Sequence, residues 1–386
     1  MSKKFFSIIT LILIVGIISV SYLWVARAAK IGRVISNDQQ SQIQSETNLA
    51  TTTAISKNTV TDSFSFGVQG DSHPERSGKM FSAELYTTTL KNAAKANLAF
   101  YFMLGDDFSI EKLIEDNNVT QTTVNAVYAV QKKYLEVLPV PIYLVNGNHE
   151  QEAKYLLDGT ATNPAILAKN ARAKFFDSPG AETGYYSFTR GDALFVVIDF
   201  YWHSDIAVDN TAGAKTGDKK QRNLWDVTLG DEQYSWLKKT LETSTSKYKF
   251  VFAHHVLGTG RGGIENAKLY EWGGYNQKGV WEFDKMRTGW ELPIHQLMAK
   301  TGVTIFFQGH DHLFAKQELD GVVYQTVPNP ADNTYTAFNR DAYKTGNIYP
   351  NSGFLNVTVA SEGVRVDYIK SGEANNGAVL YSYTVK

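Results

Sequence analysis

The sequence predicts an α/β fold with a functional site at the ends of its strands. From Phe64 onward, short apolar runs rich in β-branched and aromatic residues alternate with segments of helical composition, which is the pattern of βαβ units. Five of the apolar runs are followed at once by histidine, aspartate or asparagine. Because ligands of α/β sheets gather outside the carboxyl ends of strands, we expect these polar groups to form one site.

The five strand ends contain most of the histidine in the chain. They are Phe64 to Gln69 with Gly70-Asp71-Ser72-His73, Leu98 to Leu104 with Gly105-Asp106-Asp107, Pro141 to Val145 with Gly147-Asn148-His149-Glu150, Tyr248 to Ala253 with His254-His255, and Val303 to Gln308 with Gly309-His310-Asp311-His312. Of eight histidines, only His203 and His295 lie elsewhere. A single polar group after a strand is more often an ordinary polar residue, but five such groups in one chain favour a functional site.

Composition restricts the class of protein and the type of metal site. The 386 residues are 43% hydrophobic and 20% charged with a net charge of -1, which is typical of a globular chain with one large domain or two ordinary ones. The near-neutral charge does not favour nucleic acid as the main partner. Since the chain has no cysteine, a metal must be bound through oxygen and nitrogen, which suits zinc, iron, manganese or magnesium.

The N-terminal residues predict export. Residues 1–28 combine Lys3-Lys4, an apolar run from Phe5 to Val25 and the cleavage-like Ala26-Arg27-Ala28. The run is long enough to span a bilayer, so this segment is a signal peptide or an N-terminal membrane anchor at residues 5–25. Residues 29–60 predict a flexible polar linker, and residues 61–386 the catalytic domain. We expect an extracytoplasmic location: secreted, periplasmic or anchored facing outward.

Further elements follow in order along the chain. Helical composition covers Ala83 to Ala96, part of Val119 to Leu138, the region between Gln151 and Phe176, and a helix opened by Gly230. Tyr185 to Phe188 and Ala193 to Asp199 predict a hairpin, and Ser204 to Asp226 a loop or lid. The C-terminal part is rich in predicted strands, at Val322 to Val327, Gly353 to Ala360, Val364 to Ile369 and Ala378 to Val385.

A glycine-rich and aromatic segment follows His255. Residues 258–263 lack the Lys-Ser/Thr of a nucleotide-binding loop, so we interpret them as a mobile loop whose Arg261 could reach a phosphate as a fork of donors. Trp272, Trp281 and Trp290 come next. Such dense aromatics usually pack beneath a long loop, and a stacking platform for a sugar or base is the alternative. Arg261, His203 and Trp290 are our candidates for substrate binding.

The strand-end groups resemble the calcineurin-like metallophosphoesterase family, which includes the purple acid phosphatases. Asp71-x-His73, Gly105-Asp106, Gly147-Asn148-His149-Glu150, His254 and Gly309-His310-x-His312 follow the order of the family's motifs, and the resemblance spans about residues 62–370. It implies two mixed β-sheets packed face to face with flanking helices, a four-layer αββα sandwich. It also implies that the C-terminal strands complete the second sheet.

The resemblance assigns metal ligands and a mechanism to these groups. It implies two divalent or trivalent ions, iron, manganese or zinc, bridged by Asp106. Asp71, His73 and His312 would complete the first metal, and Asn148, His254 and His310 the second. A metal-bridged hydroxide would attack the phosphate ester, with Asp106 and His149 as catalytic residues and His149 as the hydrogen-bond or proton donor.

The chain departs from the family pattern at a few positions near the predicted ligands. Purple members carry a tyrosine where this chain has Ser109, so we expect no tyrosinate colour. Asp107 has no assigned role, and His255 is at best a neighbour of the ligands.

We expect a phosphomonoesterase acting on a phosphorylated small molecule. The alternatives are a phosphodiesterase or nucleotidase, or a catalytically idle, metal-bearing module that binds glycan. No His-Glu-x-x-His is present, which disfavours a zinc protease.

Overall fold

The computed structural model describes residues 63–150, 164–180, 183–201, 224–256, 260–372 and 375–386. Its strands are β1 Phe64–Gln69, β2 Tyr101–Met103, β3 Ile142–Leu144, β4 Tyr186–Arg190, β5 Ala193–Val197, β6 Tyr248–Phe252, β7 Ile305–Gln308, β8 Phe314–Leu319, β9 Val322–Thr326, β10 Asn347–Tyr349, β11 Gly353–Ala360, β12 Gly363–Lys370 and β13 Val379–Val385. Its α-helices are α1 Ala83–Ala94, α2 Glu111–Glu115, α3 Gln121–Lys133, α4 Pro164–Phe175, α5 Gly230–Thr243, α6 Tyr270–Gly273, α7 Phe283–Met286 and α8 Ile294–Lys300.

The strands form two mixed sheets. The first sheet has the order β13-β12-β11-β1-β2-β3 and the second the order β10-β8-β9-β7-β6-β5-β4. Strands β1, β2 and β3 are parallel to one another, as are β5, β6, β7 and β9, whereas the remaining neighbours pair antiparallel. In each sheet the carboxyl ends of neighbouring parallel strands therefore lie at one edge.

A phenylalanine-rich core joins the two sheets. Phe102 of β2 stacks on Phe252 of β6, with ring centroids 4.0 Å apart and planes 16° from parallel. Phe66, Phe195 and similar side chains fill the rest of this layer and are fully buried. Because successive side chains of a strand point to opposite faces, the residues on either side of Phe102 face away from this core. The sheets thus bury one face against each other.

Helices cover the outer face of each sheet. Tyr101 and Met103 of the first sheet pack with α1, α3 and α4, and Val251 and Phe306 of the second sheet pack with α5 and α8. Helix α1 begins at the N-cap Ser82, whose Oγ accepts a hydrogen bond from the Leu85 amide. The central strands of both sheets are therefore buried on both faces, and the expected αββα sandwich is confirmed.

One expectation about the C-terminal strands is wrong. Strand β9 joins the second sheet, but β11, β12 and β13 extend the first, with β11 antiparallel to β1. Apolar alternation specifies that these strands are half-buried, and either sheet could supply the pairing partner. The hairpin β4–β5 and the helices α1, α3 and α5 lie where the sequence predicts them.

Several predictions fall on residues that are not described. The signal or anchor segment 1–28 and the whole linker 29–60 lie outside the described residues, as do 151–163 of the predicted helical region, 204–223 of the predicted lid and 258–259 of the glycine-rich loop. Within the described part of the chain, no helix combines the length and the apolar character needed to cross a membrane.

Candidate metal centre

The turns after the strands hold five of the predicted ligands in strained backbone conformations. Asp71, His73, Asp106, His310 and His312 all have positive φ, between 49° and 67°. L-residues other than glycine seldom adopt this left-handed region, and such strain clusters at functional sites. It turns the side chains away from the direction that a continuing strand would give them. In this way residues two apart along an extended segment, such as His310 and His312, reach different partners.

Glycines allow these turns to approach one another. A Cβ atom on Gly147 would overlap the main-chain nitrogen and Oδ1 of Asp106, and one on Gly309 would overlap Oδ2 of Asp71. Gly147 and Gly309 therefore leave room for the carboxylate of a neighbouring strand end. The close approach of these turns allows two hydrogen bonds: the His149 amide donates to Asp106 Oδ1 at 2.8 Å, and the His310 amide donates to Asp71 Oδ2 at 2.7 Å.

The first ligand group consists of Asp71, His73 and His312. One ligand atom from each lies within 4.8 Å of the others. Oδ1 of Asp71 is 3.4 Å from Nε2 of His312. Nδ1 of His73 lies 2.8 Å from Oε1 of Glu75, and since a carboxylate only accepts, this nitrogen donates and leaves the Nε2 lone pair facing the site.

The second ligand group consists of Asp106, His254 and His310, whose ligand atoms also lie within 4.8 Å of one another. His254 Nε2 is 3.2 Å from Asp106 Oδ2 and 3.2 Å from His310 Nδ1. The other nitrogen of His254 lies 2.7 Å from the carbonyl oxygen of Leu104, which can only accept. His254 is therefore oriented by a main-chain group so that Nε2 faces the site.

Asp106 Oδ2 lies between the two groups. It is 3.8 Å from Nε2 of His73 in the first group and 3.2 Å from Nε2 of His254 in the second. The other oxygen, Oδ1, is held by the His149 amide. One carboxylate oxygen is thus fixed and the other faces imidazoles from both groups, which is the arrangement expected of a bridging ligand.

Burial makes this cluster unfavourable unless it holds a cation. Asp71 Oδ1 and His73 Nε2 are buried and have no hydrogen-bond partner among the described residues. Burial, with Arg76 adding to it, lowers the pKa of His73 well below its usual value, and burial does the same for His310. Burial also opposes protonation of His254, but the Asp106 and Asp71 carboxylates outweigh it and raise the pKa of His254 to about 9. Buried lone pairs converging on two carboxylates fit a metal cation.

Asn148 and His149 lie on the turn after β3. Both side chains are buried, Asn148 at 1% and His149 at 6% exposure. His149 Nε2 is 4.0 Å from Asp106 Oδ2, so the imidazole faces the bridging oxygen without contacting it. The same nitrogen lies 2.9 Å from Nη2 of Arg76. Because a guanidinium has donors only, His149 Nε2 accepts from Arg76 in this arrangement.

Glu150 has a role that the sequence analysis did not assign. Its Oε1 accepts from the amides of Asp107 and Phe108, at 3.0 and 2.9 Å, and its Oε2 from the amides of Asp106 and Gly147, at 2.8 and 2.7 Å. This one buried carboxylate therefore fixes the turn that presents Asp106. In the sequence, the position of Glu150 directly after Asn148 and His149 was the only indication of this role.

Asp107 and His255, which had no firm role in the sequence analysis, contact residues of the site. Asp107 Oδ1 lies 3.2 Å from both the Gln69 side-chain nitrogen and the Ser72 amide, so it joins the turns after β1 and β2. His255 packs on His310 with ring centroids 4.4 Å apart. Both side chains support ligands or the turns that carry them.

The three candidates for substrate binding have different surroundings. Arg261 is one-third exposed, and its Nη1 lies 3.4 Å from Oδ1 of Asp311, the residue between His310 and His312. Trp290 is buried, stacks on Tyr234 at 3.8 Å and donates to Asp231 at 2.7 Å. These contacts place Arg261 beside the centre and Trp290 in the outer helical layer. His203 lies outside the described residues.

The tryptophans do not form a platform within the described residues. Trp272 is fully buried and donates to the Tyr324 hydroxyl at 2.9 Å, and Trp290 is 8% exposed. Only Trp281, at 39%, exposes much of its ring. The packing interpretation of these aromatics is therefore the better one, and the glycan-binding alternative loses the feature that suggested it.

Comparisons with known proteins agree with this geometry. A sequence model described as calcineurin-like phosphoesterase matches residues 64–314. Among solved structures, the chain is similar to purple acid phosphatase PPD1 from yellow lupin (Lupinus luteus) seeds, with TM-score 0.53, 19% identity and coverage of 83% of this chain and 53% of that one. The chain thus spans about half the length of the lupin protein.

A second solved structure, PhoD, is similar with TM-score 0.53, 13% identity and coverage of 84% of this chain and 72% of that one. No curated protein matches the chain. Likeness at these identities shows the shared fold, whereas the sequence model covers all five strand ends and the motifs that follow them. The predicted family is confirmed. The chain belongs to the calcineurin-like phosphoesterase family.

Proposed function

We propose that this protein is an exported phosphomonoesterase that uses two metal ions held at the strand ends. One observation carries the proposal: Asp106 Oδ2 faces His73 of one buried ligand group and His254 of the other. A single cation needs only one of these groups. Two groups that share a carboxylate oxygen favour a pair of ions at the spacing of about 3.5 to 4 Å found in two-metal hydrolases.

The residues suit the ions that the family uses. Imidazole and carboxylate ligands fit iron, manganese or zinc, with Asn148 as the neutral oxygen ligand proposed for the second ion. Bound ions would neutralise charge on the transferred phosphoryl group and supply an activated water. With only Asp71 and Asp106 as anions among these ligands, the loaded site is net positive. It therefore attracts an anionic monoester.

His149 is proposed to assist the departing alcohol. The oxygen of water forms a bond to phosphorus and releases one proton to solvent, and the bond from phosphorus to the alcohol oxygen breaks with its electron pair on that oxygen. His149, protonated on Nε2, gives this oxygen a proton and later regains one from solvent. The position of Nε2, 4.0 Å from Asp106 Oδ2, leaves space for a phosphoryl oxygen beside both.

Export is supported by the sequence alone. The apolar run before Ala26-Arg27-Ala28, the polar linker and the absence of cysteine are compatible with an extracytoplasmic enzyme that is either secreted or anchored through residues 5–25. A phosphodiesterase or nucleotidase with the same centre remains the alternative activity.

A substrate panel tests the proposal. The protein is stripped with chelator, reloaded with manganese or zinc, and assayed with alkyl, aryl and sugar monoesters, diesters and nucleotides. We expect monoesters to have the highest kcat/KM. An Asp71→Asn variant, which weakens the first ligand group, is the matched control and should lose the activity. Hydrolysis of diesters alone would favour the alternative, and no hydrolysis of any ester would refute the proposal.

A further inference from the structure

A cleft opens beside the metal centre on the side of His149. Its volume is about 540 Å³, and it is lined by residues of the turn 75–80 after β1 and of helix α2. The lining has carboxylates (Glu75, Glu111, Glu115), cations (Arg76, Lys79, Lys112), one serine and one methionine, and it contains no aromatic side chain. None of these residues belongs to the five motifs, and the sequence analysis gave them no role.

Arg76 connects this cleft to the catalytic centre. Its Nη2 lies 2.9 Å from His149 Nε2 and 3.8 Å from Glu111 Oε2, and its Nε lies 3.5 Å from Glu75 Oε1. The side chain is 28% exposed, so one part of the guanidinium faces the buried site and another faces the cleft. A planar fork of donors in this position can bind two oxygens of a phosphate ester.

His149 indicates the side from which the alcohol departs. The ring centroid of His73 lies 5.0 Å from that of His149 and 5.0 Å from that of His312, and Nε2 of His149 contacts Arg76 of the cleft lining. The donor to the leaving oxygen is therefore on the side of the centre at which the cleft opens. An alcohol that takes its proton from His149 must lie next to Arg76, at the entrance to the cleft.

We propose that this cleft binds the alcohol portion of the substrate, that Arg76 binds the ester phosphate at its entrance, and that the alcohol carries several hydroxyl groups. The inference rests on the proposed phosphomonoesterase activity and deepens it by naming the substrate class.

The lining selects a polyol over other alcohols. The lining has as many carboxylates as cations, so a second anionic group or an ammonium group on the alcohol would meet like charge as well as opposite charge. An aromatic ring would find no ring to stack on and Met80 as its main apolar contact. Hydroxyl groups donate to carboxylates and accept from ammonium groups, so they match a lining of alternating charge.

Two esters whose alcohols differ in their number of hydroxyl groups test the subsite: glycerol 1-phosphate and propyl phosphate. With the metal-reloaded full chain, we expect a higher kcat/KM for glycerol 1-phosphate. Glu111→Gln should raise KM for glycerol 1-phosphate by about 3- to 10-fold, the loss of a hydrogen bond to a charged group at a partly exposed site. Its KM for propyl phosphate should change less than about 2-fold. Glu362→Gln, on the exposed turn between β11 and β12, is the matched control and should change neither value.

Arg76→Met tests the phosphate contact. We expect KM for both esters and the inhibition constant of inorganic phosphate to rise by about 10-fold or more, with Arg76→Lys intermediate because a lysine keeps the charge without the fork. Metal content should be unchanged, and Arg365→Gln, on β12, should behave as wild type.

Three outcomes would overturn the inference while leaving the proposed function intact. The first is equal KM values in Arg76→Met and Arg365→Gln. The second is an equal rise in KM for both esters in Glu111→Gln. The third is loss of metal from Arg76→Met, which would show that Arg76 supports the metal ligands. A wild-type protein inert toward every phosphate ester would instead refute the proposed function.

Discussion

The Nδ1 atom of His254 lies 2.7 Å from the main-chain carbonyl oxygen of Leu104. His254 follows β6 of the second sheet and Leu104 follows β2 of the first, so this hydrogen bond joins the ends of the two sheets. It also determines which nitrogen of His254 is available to a metal. One hydrogen bond therefore both joins the two sheets and orients a candidate metal ligand.

We expect metal binding to release a proton from His254. The pKa of about 9 lies above the ordinary value of 6.5, so protonation stabilises the metal-free protein fully below pH 6.5 and this contribution disappears as pH rises through 9. Since a metal needs the neutral imidazole, binding at pH 7.5 must expel that proton, and affinity should rise with pH up to about 9.

Calorimetry in two buffers of different ionisation enthalpy measures this release. We expect about one proton more from wild type than from His254→Gln. His295→Gln, at a histidine bonded to Tyr324 and Asp320 away from the centre, is the control and should keep the wild-type value. Equal release from wild type and His254→Gln would contradict the assignment.

Glu150→Gln should destabilise the turn that carries Asp106. The amide keeps one acceptor oxygen and directs an NH₂ group at main-chain donors, so at least one of the four hydrogen bonds is replaced by a donor–donor contact. We expect the free energy of unfolding to fall by about 2 to 4 kcal/mol, measured by urea denaturation, and metal affinity to fall with it. Glu362→Gln should change stability by less than about 0.5 kcal/mol. Unchanged stability in Glu150→Gln would show that Glu150 does not hold this turn.

Asn148 and His149 should behave differently although they are adjacent. His149→Asn should keep its metals while kcat falls by about 10²- to 10⁴-fold, the range for a positioned acid or base. The loss should be larger for alkyl than for nitrophenyl phosphates, because a basic leaving oxygen needs the proton more. Asn148→Ala should lose metal, and added manganese or zinc should partly restore its rate. Metal loss from His149→Asn with full rescue by added cation would make His149 a ligand.

Deletion of residues 1–58 should leave an active, soluble domain. Strand β1 begins at Phe64, and the residues before it have the composition of an apolar head and a polar linker. We expect the truncated protein to match the full chain in metal content and kcat/KM, measured side by side in detergent. Aggregation or metal loss of the truncated protein would move the domain boundary toward the N-terminus.

The candidate ligands could be located from the sequence because strand ends and metal-binding residue types are both local features. Apolar runs located β1, β6 and β7, and the residues directly after them are Asp71, His254 and His310. The left-handed backbone at these positions could not be read in the same way, since non-glycine residues rarely adopt it. It depends on tertiary contacts such as the His310 amide with Asp71.

Long-range relationships account for what the sequence missed. Arg76 reaches His149 across 73 positions, and no local pattern marks it. The pairing of β11 with β1 joins opposite ends of the domain. Trp290 was a candidate for substrate binding because it follows the glycine-rich loop among other aromatic residues, whereas it stacks on Tyr234, about 56 positions earlier in the chain, a separation at which local patterns carry no information.

The number of metal equivalents needed for hydrolysis tests the central claim most directly. Metal-free protein at a concentration far above the dissociation constant is titrated with manganese or zinc while hydrolysis of a phosphomonoester is followed. The account predicts no activity without metal and a plateau at about two equivalents per chain. Full activity in the metal-free protein, or a plateau at one equivalent, would contradict a centre in which Asp106 joins two ions.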